Sequence, residues 1–399
     1  MAGPWRPPRK AHASVVADKQ RQQMPPGYWT IWTTVALDLV GFGIVAPILG
    51  RYAERFGAGG LQVGLMFASF SIAQMVFAPV LGRLSDRIGR KPVIIISLLG
   101  TALGSFITGI AGAMWVLFLG RIIDGASGAS VSVAQGAVAD IAPPERRAQL
   151  MGMLGAAFGV GFVVGPALGG LAALGGPHVP FFVAGAIAAV NAVVAIKRLP
   201  ETKPDHRYSE SHGRKGGALS PVLRRYAVAA LMTSLGFSGF EATFSLFGKE
   251  RFGLTEGSAA LVFLYVGILL VIVQGAAIAP VTKALGSRRA LLLGLAGVTA
   301  GLVLLGLTTT WVLLFVSLAL LSVGQGIGSP SMSALVTEAA PAQNRGEALG
   351  YQQSVGAFGR IAGPVIAGAM FDHVSIGAPY FLGACLVLVA LAVVRPFHH

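Results

Sequence analysis

Five charged residues stand inside long apolar runs of this chain: Asp38, Arg121, Asp124, Glu241 and Arg360. A charge at bilayer depth is costly, and such residues usually mark an ion path, a substrate contact or a structural pair. Arg keeps its proton, whereas a carboxyl in a half-dry site can take one up and release it. Arg121 and Asp124 are three apart, on one helix face. Asp38 falls near the middle of its run, and Asp124 falls at a similar depth. We therefore take Asp38, Arg121, Asp124 and Glu241 as candidates for proton coupling. Glu241 and Arg360 suit a mutual structural pair as well as a substrate role.

The runs that carry these charges dominate the sequence. Of 399 residues, 54% are hydrophobic and 12% charged, and the mean hydropathy is +0.72. Runs of roughly 20 apolar residues can cross a hydrocarbon core as helices. In lipid, backbone groups must bond within their own segment, and the alternating ten-residue pattern of a membrane barrel is absent. The expected fold is an all-α integral membrane protein. Its twelve transmembrane helices lie near 29–50, 62–82, 93–112, 115–138, 149–172, 178–197, 223–247, 258–281, 289–308, 311–337, 345–370 and 377–396.

The net charge of +14 invites a nucleic-acid reading, but its distribution opposes one. Most Lys and Arg fall in segments on the N-terminal side of the membrane. Arg51, Arg55, Lys249 and Arg251 fall on the other side, and Arg121 and Arg360 lie within it. This positive-inside pattern places both termini in the cytoplasm of a multi-pass plasma-membrane protein. Residues 1–28 form a polar arm with no apolar signal region, and the lone Cys385 has no disulfide partner within the chain.

Residues 198–222 are rich in charge, Gly and Ser and divide two six-helix halves, 29–197 and 223–399. The halves repeat. "ADIAPPERRAQLMG" (139–152) aligns without a gap on "TEAAPAQNRGEALG" (337–350), an offset of 198 residues. In that register Asp140 falls on Glu338, Gly161 on Gly359, Gly165 on Gly363 and Pro166 on Pro364. Repeated halves with the substrate site between them are a transporter plan. The loop after the second span, "GRLSDRIGRKP" (82–92), has an echo in "PVTKALGSRRA" (280–290), where Gly286 stands for Gly89 and Lys283 for Asp86.

Gly82-x-Leu84-x-Asp86-Arg87-x-Gly89-Arg90-Lys91-Pro92 resembles the signature loop of the major facilitator superfamily. The resemblance implies two pseudo-symmetric halves that alternate in access. It also implies a cytoplasmic latch formed by Gly82, Asp86, Arg87, Gly89, Arg90 and Asp140, with Asp86 meeting the start of the eleventh span. Gly152-x8-Gly161-x3-Gly165-Pro166-x2-Gly169-Gly170 resembles the motif of the drug/proton antiporters. It implies a tight, bent fifth span packed against the other half. "LDLVGFGIVAPIL" (37–49), "RIIDGASGA" (121–129) and "GGPHVPFF" (175–182) resemble the tetracycline/proton antiporter branch, and Asp38 matches its pattern. The second half departs from that branch, because spans 9 and 10 hold no acid.

Substrate-cavity candidates are Phe70, Gln74, Gln135, Phe240, Phe244, Tyr265, Gln274, Gln325, Gln353 and Arg360, with Gln352 beside them. Together these features predict proton-coupled efflux of small amphipathic drugs or metabolites by a monomer. The proton gradient supplies the energy, and no cofactor or nucleic-acid partner is expected. A facilitator for a sugar or other metabolite is the alternative. An integral-membrane enzyme or scaffold would need a catalytic constellation that the chain does not show, and no nucleotide-binding loop supports ATP drive.

Overall fold

The computed structural model describes residues 24–143, 146–202, 220–340 and 345–395. Most of the predicted N-terminal arm and of the 198–222 linker lies outside these residues. The described chain is helical. The first half comprises α1 (Tyr28–Glu54), α2 (Gly60–Ile88), α3 (Arg90–Gly109), α4 (Met114–Ser127), α5 (Ser130–Ile141), α6 (Arg147–Ala173) and α7 (Val179–Arg198). The second comprises α8 (Pro221–Phe252), α9 (Glu256–Ile272), a π turn (Val273–Ala277), α10 (Ile278–Leu307), α11 (Trp311–Ala339), α12 (Arg345–His373) and α13 (Ala378–Val394).

These elements make twelve passes. α4 and α5 form one pass, broken at Gly128. The π turn joins α9 to the first part of α10, and Gly286 splits α10 into two passes. Gly286 has φ 75° and ψ 158°, while Gly89, between α2 and α3, has φ 111° and ψ 158°. Both lie where an L side chain is strained, so a glycine makes the reversal in each half. Among the described residues, successive passes run between two faces: the terminal face, where α1 begins and α13 ends, and the opposite face.

Inside each half the same helices meet. α1 packs on α6, and its counterpart α8 packs on α12. Between halves, α2 packs on α12 and α6 on α9. The close approaches rest on glycine. A Cβ at Gly165 would lie 2.6 Å from Gly43 Cα of α1, and one at Gly161 would lie 2.7 Å from the Leu39 carbonyl. In the second half, a Cβ at Gly359 would lie 2.9 Å from the Leu235 amide nitrogen. Small residues at helical spacing let backbones touch in this way.

The fifth span meets the other half through α9, but its motif glycines turn toward their own half. Gly161, Gly165 and Gly169 meet Leu39, Gly43 and Ile44 of α1, within their own half. It is Gly159 that faces α9, near Val271 and Gln274. Pro166 lies inside α6, as Pro364 lies inside α12. Gly152 and Gly170 also fall on α6.

Candidate functional site

The break at Gly128 organises the polar centre of the first half. A straight helix would bond the carbonyl of Gly128 within its own ladder. Here the Nε2 of Gln74 on α2 donates to that oxygen at 2.9 Å. Two residues on, Ser130 opens α5, and its hydroxyl donates to Asp38 Oδ2 of α1. The break therefore turns one hydroxyl toward a carboxylate on a neighbouring helix.

On the preceding segment, Arg121 Nη1 donates to Asp124 Oδ2 at 2.7 Å. The Arg121 residue is only 2% exposed. Its guanidinium also lies 4.3 Å from the centre of the Phe70 ring, and Phe70 in turn meets Phe42 of α1. A cation over an aromatic face is favourable where water is excluded. Gly104 leaves room for this pair, because a Cβ there would lie 2.9 Å from Asp124 Cβ.

The charges continue across the seam. Glu241 on α8 lies within electrostatic reach of both Arg121 and Arg360. Asp38 is likewise within reach of Asp124. The order is acid, acid, Arg121, Glu241, Arg360, running from α1 through α4 to α8 and α12. Such a chain can pass a change of charge in one half to the other.

The polar and aromatic candidates divide. Gln74 is part of the centre. Gln274 sits in the π turn, its side chain exposed and its amide oxygen 3.9 Å from the space beside Gly159 of α6. π turns often mark functional positions. Gln135 and Gln325 are half-buried on α5 and α11. On α12, Gln353 is exposed, and the Oε1 of Gln352 is buried without a hydrogen-bond partner.

Three aromatic candidates turn away from the seam. Phe240 and Phe244 are 2% and 1% exposed and stack with Phe237, Phe247 and Tyr380 in the core of the second half. Tyr265 packs edge-on against Phe315 of α11 and donates to its carbonyl at 3.2 Å. The physical reason is common to all three. Rings on α8 and α9 fill the gap between α8, α9, α11 and α13, where apolar contact outweighs a polar wall.

At the terminal face, Arg90 joins two acids. Its Nη1 lies 2.6 Å from Asp86 Oδ1, and its Nε lies 2.9 Å from Asp140 Oδ2. It also donates to Ser85 at 2.7 Å. Asp86 has a side chain 62% exposed. Gly82 and Arg87 lie in the last two turns of α2, and Gly89, which ends it, sits against the carboxylate of Glu201. Glu201 accepts from the backbone amides of Arg90 and Lys91 at 2.8 and 3.3 Å. The sequence reading missed Glu201, because one acid at the edge of a charged linker gives little signal by itself. It also missed Ser130, whose only trace is the "GASGAS" run that breaks the fourth pass.

Known proteins resemble this chain over nearly its whole length. The Major Facilitator Superfamily model matches residues 31–283 and 275–397. Tetracycline resistance protein, class E, of Escherichia coli is 33% identical over 91% of this chain and 93% of its own length. Multidrug resistance protein 1 of Bacillus subtilis (strain 168) is 28% identical over 90% of this chain and 93% of its own. Among solved structures, the human organic anion transporter MFSD10 (TETRAN) superposes with a TM-score of 0.71 at 25% identity, covering 93% of this chain and 100% of that one. The nucleoside transporter NupG superposes with a TM-score of 0.73 at 14% identity, covering 92% of this chain and 98% of that one, a likeness of fold. With two six-helix halves, a charge centre at their seam and a family match over nearly its whole length, this chain belongs to the Major Facilitator Superfamily, a family of multi-pass membrane transporters.

Proposed function

We propose that this transporter exports small amphipathic drugs across a bacterial inner membrane in exchange for protons, working as a monomer with both termini cytoplasmic. The observation that carries the reading is the run of charges from Asp38 to Arg360 through both halves. The resistance proteins of E. coli and B. subtilis that resemble this chain over most of its length support it.

The residues suggest the order of events. When Asp38 is ionised, it holds the Ser130 hydroxyl and fixes α5 against α1. When it takes up a proton, that hold weakens, and the segment beyond the break is released from α1. Arg121 meanwhile keeps its charge, so any change at Asp38 or Asp124 is felt by Glu241 in the other half. Proton uptake from one face and release to the other would then follow the rocking of the halves.

The test is paired flux in vesicles. Asp38→Asn holds the site in its uncharged form. It should keep substrate affinity within about one order of magnitude, or ~1.4 kcal/mol. Uphill export and substrate-driven proton movement should stop. Full uphill export by this variant would remove Asp38 from the coupling step.

A further inference from the structure

The halves are pinned together at the opposite face, and an acid at the end of a helix is central to the pin. Asp372 stands in the last turn of α12. An acid there is disfavoured by the negative end of its own helix. The carboxylate instead reaches across the seam to the start of α2. Its Oδ1 accepts from the Gly60 amide at 2.7 Å, and its Oδ2 accepts from the Leu61 amide at 2.8 Å. Both amides belong to the first turn of a helix, where donors lack partners and the dipole is positive.

Independent features of the same place fit the carboxylate. A Cβ at Gly59 or at Gly60 would lie 3.0 Å from an Asp372 oxygen. Two glycines thus keep the helix start bare for the acid. Around it, Lys249 of α8 pairs with Glu54 of α1 at 3.0 Å, and Arg51 of α1 donates to the Leu254 carbonyl at 2.6 Å. All of these bonds join one half to the other, at one face.

Asp86 holds the matching position at the terminal face. It lies in the last turn of α2, the very helix that Asp372 caps. The two acids therefore sit at opposite ends of the α2–α12 seam, each on the helix whose start the other would meet. We propose that Asp372 is a positioning residue that latches the opposite face shut, and that transport requires this carboxylate to leave the α2 amides. The alternation of access is then a competition between two carboxylates for two helix starts.

The experiment reads conformation without substrate, so its outcome is separate from any failure of the export reading. Ser245 of α8 is 2% exposed, with its hydroxyl 2.6 Å from where a Cβ on Gly50 of α1 would stand. In a Cys385→Ser background, a Ser245→Cys reporter is labelled with a maleimide on the purified full chain in detergent. Asp372→Asn should raise the labelling rate at least about tenfold, and Asp372→Glu should raise it less. Adding Asp86→Asn to Asp372→Asn should bring the rate back toward the parent, because the two latches oppose each other. A Ser322→Cys reporter, fully buried in α11 away from the seam, should stay unlabelled throughout. An unchanged rate at Ser245→Cys in Asp372→Asn overturns the proposal. So does a parallel rise at Ser322→Cys, which would mean general loosening.

Discussion

The two halves share a backbone and differ in chemistry. Gly89 and Gly286 make the same reversal, and α1·α6 is repeated as α8·α12. At equivalent places the side chains diverge. Arg90 bridges Asp86 and Asp140 in the first half, while in the second Ser287 donates to Glu338 at 2.8 Å and Lys283 replaces Asp86. The fourth pass is broken at Gly128, whereas its counterpart α11 runs unbroken. The duplicated part is what lets helices approach. The polar set that we propose for proton coupling is concentrated in one copy and answered by a single acid and a single base in the other.

The shared part can be broken most severely. Gly165→Leu should abolish export, and even Gly165→Ala should fail, because its Cβ meets backbone rather than a flexible side chain. Overpacking of this kind costs about 1–3 kcal/mol or more. Gly359→Ala in the other half should do the same. Gly328→Ala, where the nearest atom is 3.7 Å away, should be close to neutral. Export assays with protein levels by immunoblot check all four, and a tolerant Gly165→Ala would end the claim of equivalence.

The unshared part gives graded effects. Ser130→Ala keeps Asp38 but removes its donor. Export at saturating substrate should fall severalfold, less than in Asp38→Asn, and the pH profile of export should move. An unmoved profile would separate Ser130 from coupling. Arg90→Ala leaves Asp140 without this partner and should lower stability by about 1–3 kcal/mol, the cost of a buried polar group left without its bond. Ser287→Ala, its counterpart, should cost about 1 kcal/mol or less. Thermal unfolding in detergent compares the two, and equal losses would erase the asymmetry.

Much of this was legible from sequence, for stated reasons. Apolar length gave the passes, and the glycine reversals appeared because Gly89 and Gly286 recur beside basic loops. Asp38, Arg121 and Asp124 stood out because charge inside an apolar run is rare. Helical spacing showed that Gly161 and Gly165 share a face, yet it carries no information on which helix meets that face. Phe240 and Phe244 were ambiguous for the same reason. Asp372 was invisible because an acid near a helix end looks like ordinary surface charge. Its meaning lies in the amides of Gly60 and Leu61, more than 300 residues earlier.

The π turn at Val273–Ala277 has a consequence for how the copies drifted apart. From Gly57 to Gly89 the chain takes 32 steps between two left-handed glycines. From Gly253 to Gly286, the matching landmarks, it takes 33. The second copy thus holds one more residue in the same length of membrane. In an α-helix an added residue would swing everything after it by about 100°, carrying the Lys283 turn off its seam. A π turn takes up one residue locally, since its bonds reach one position further. The bulge absorbs the one-residue difference between the copies without disturbing the helices on either side.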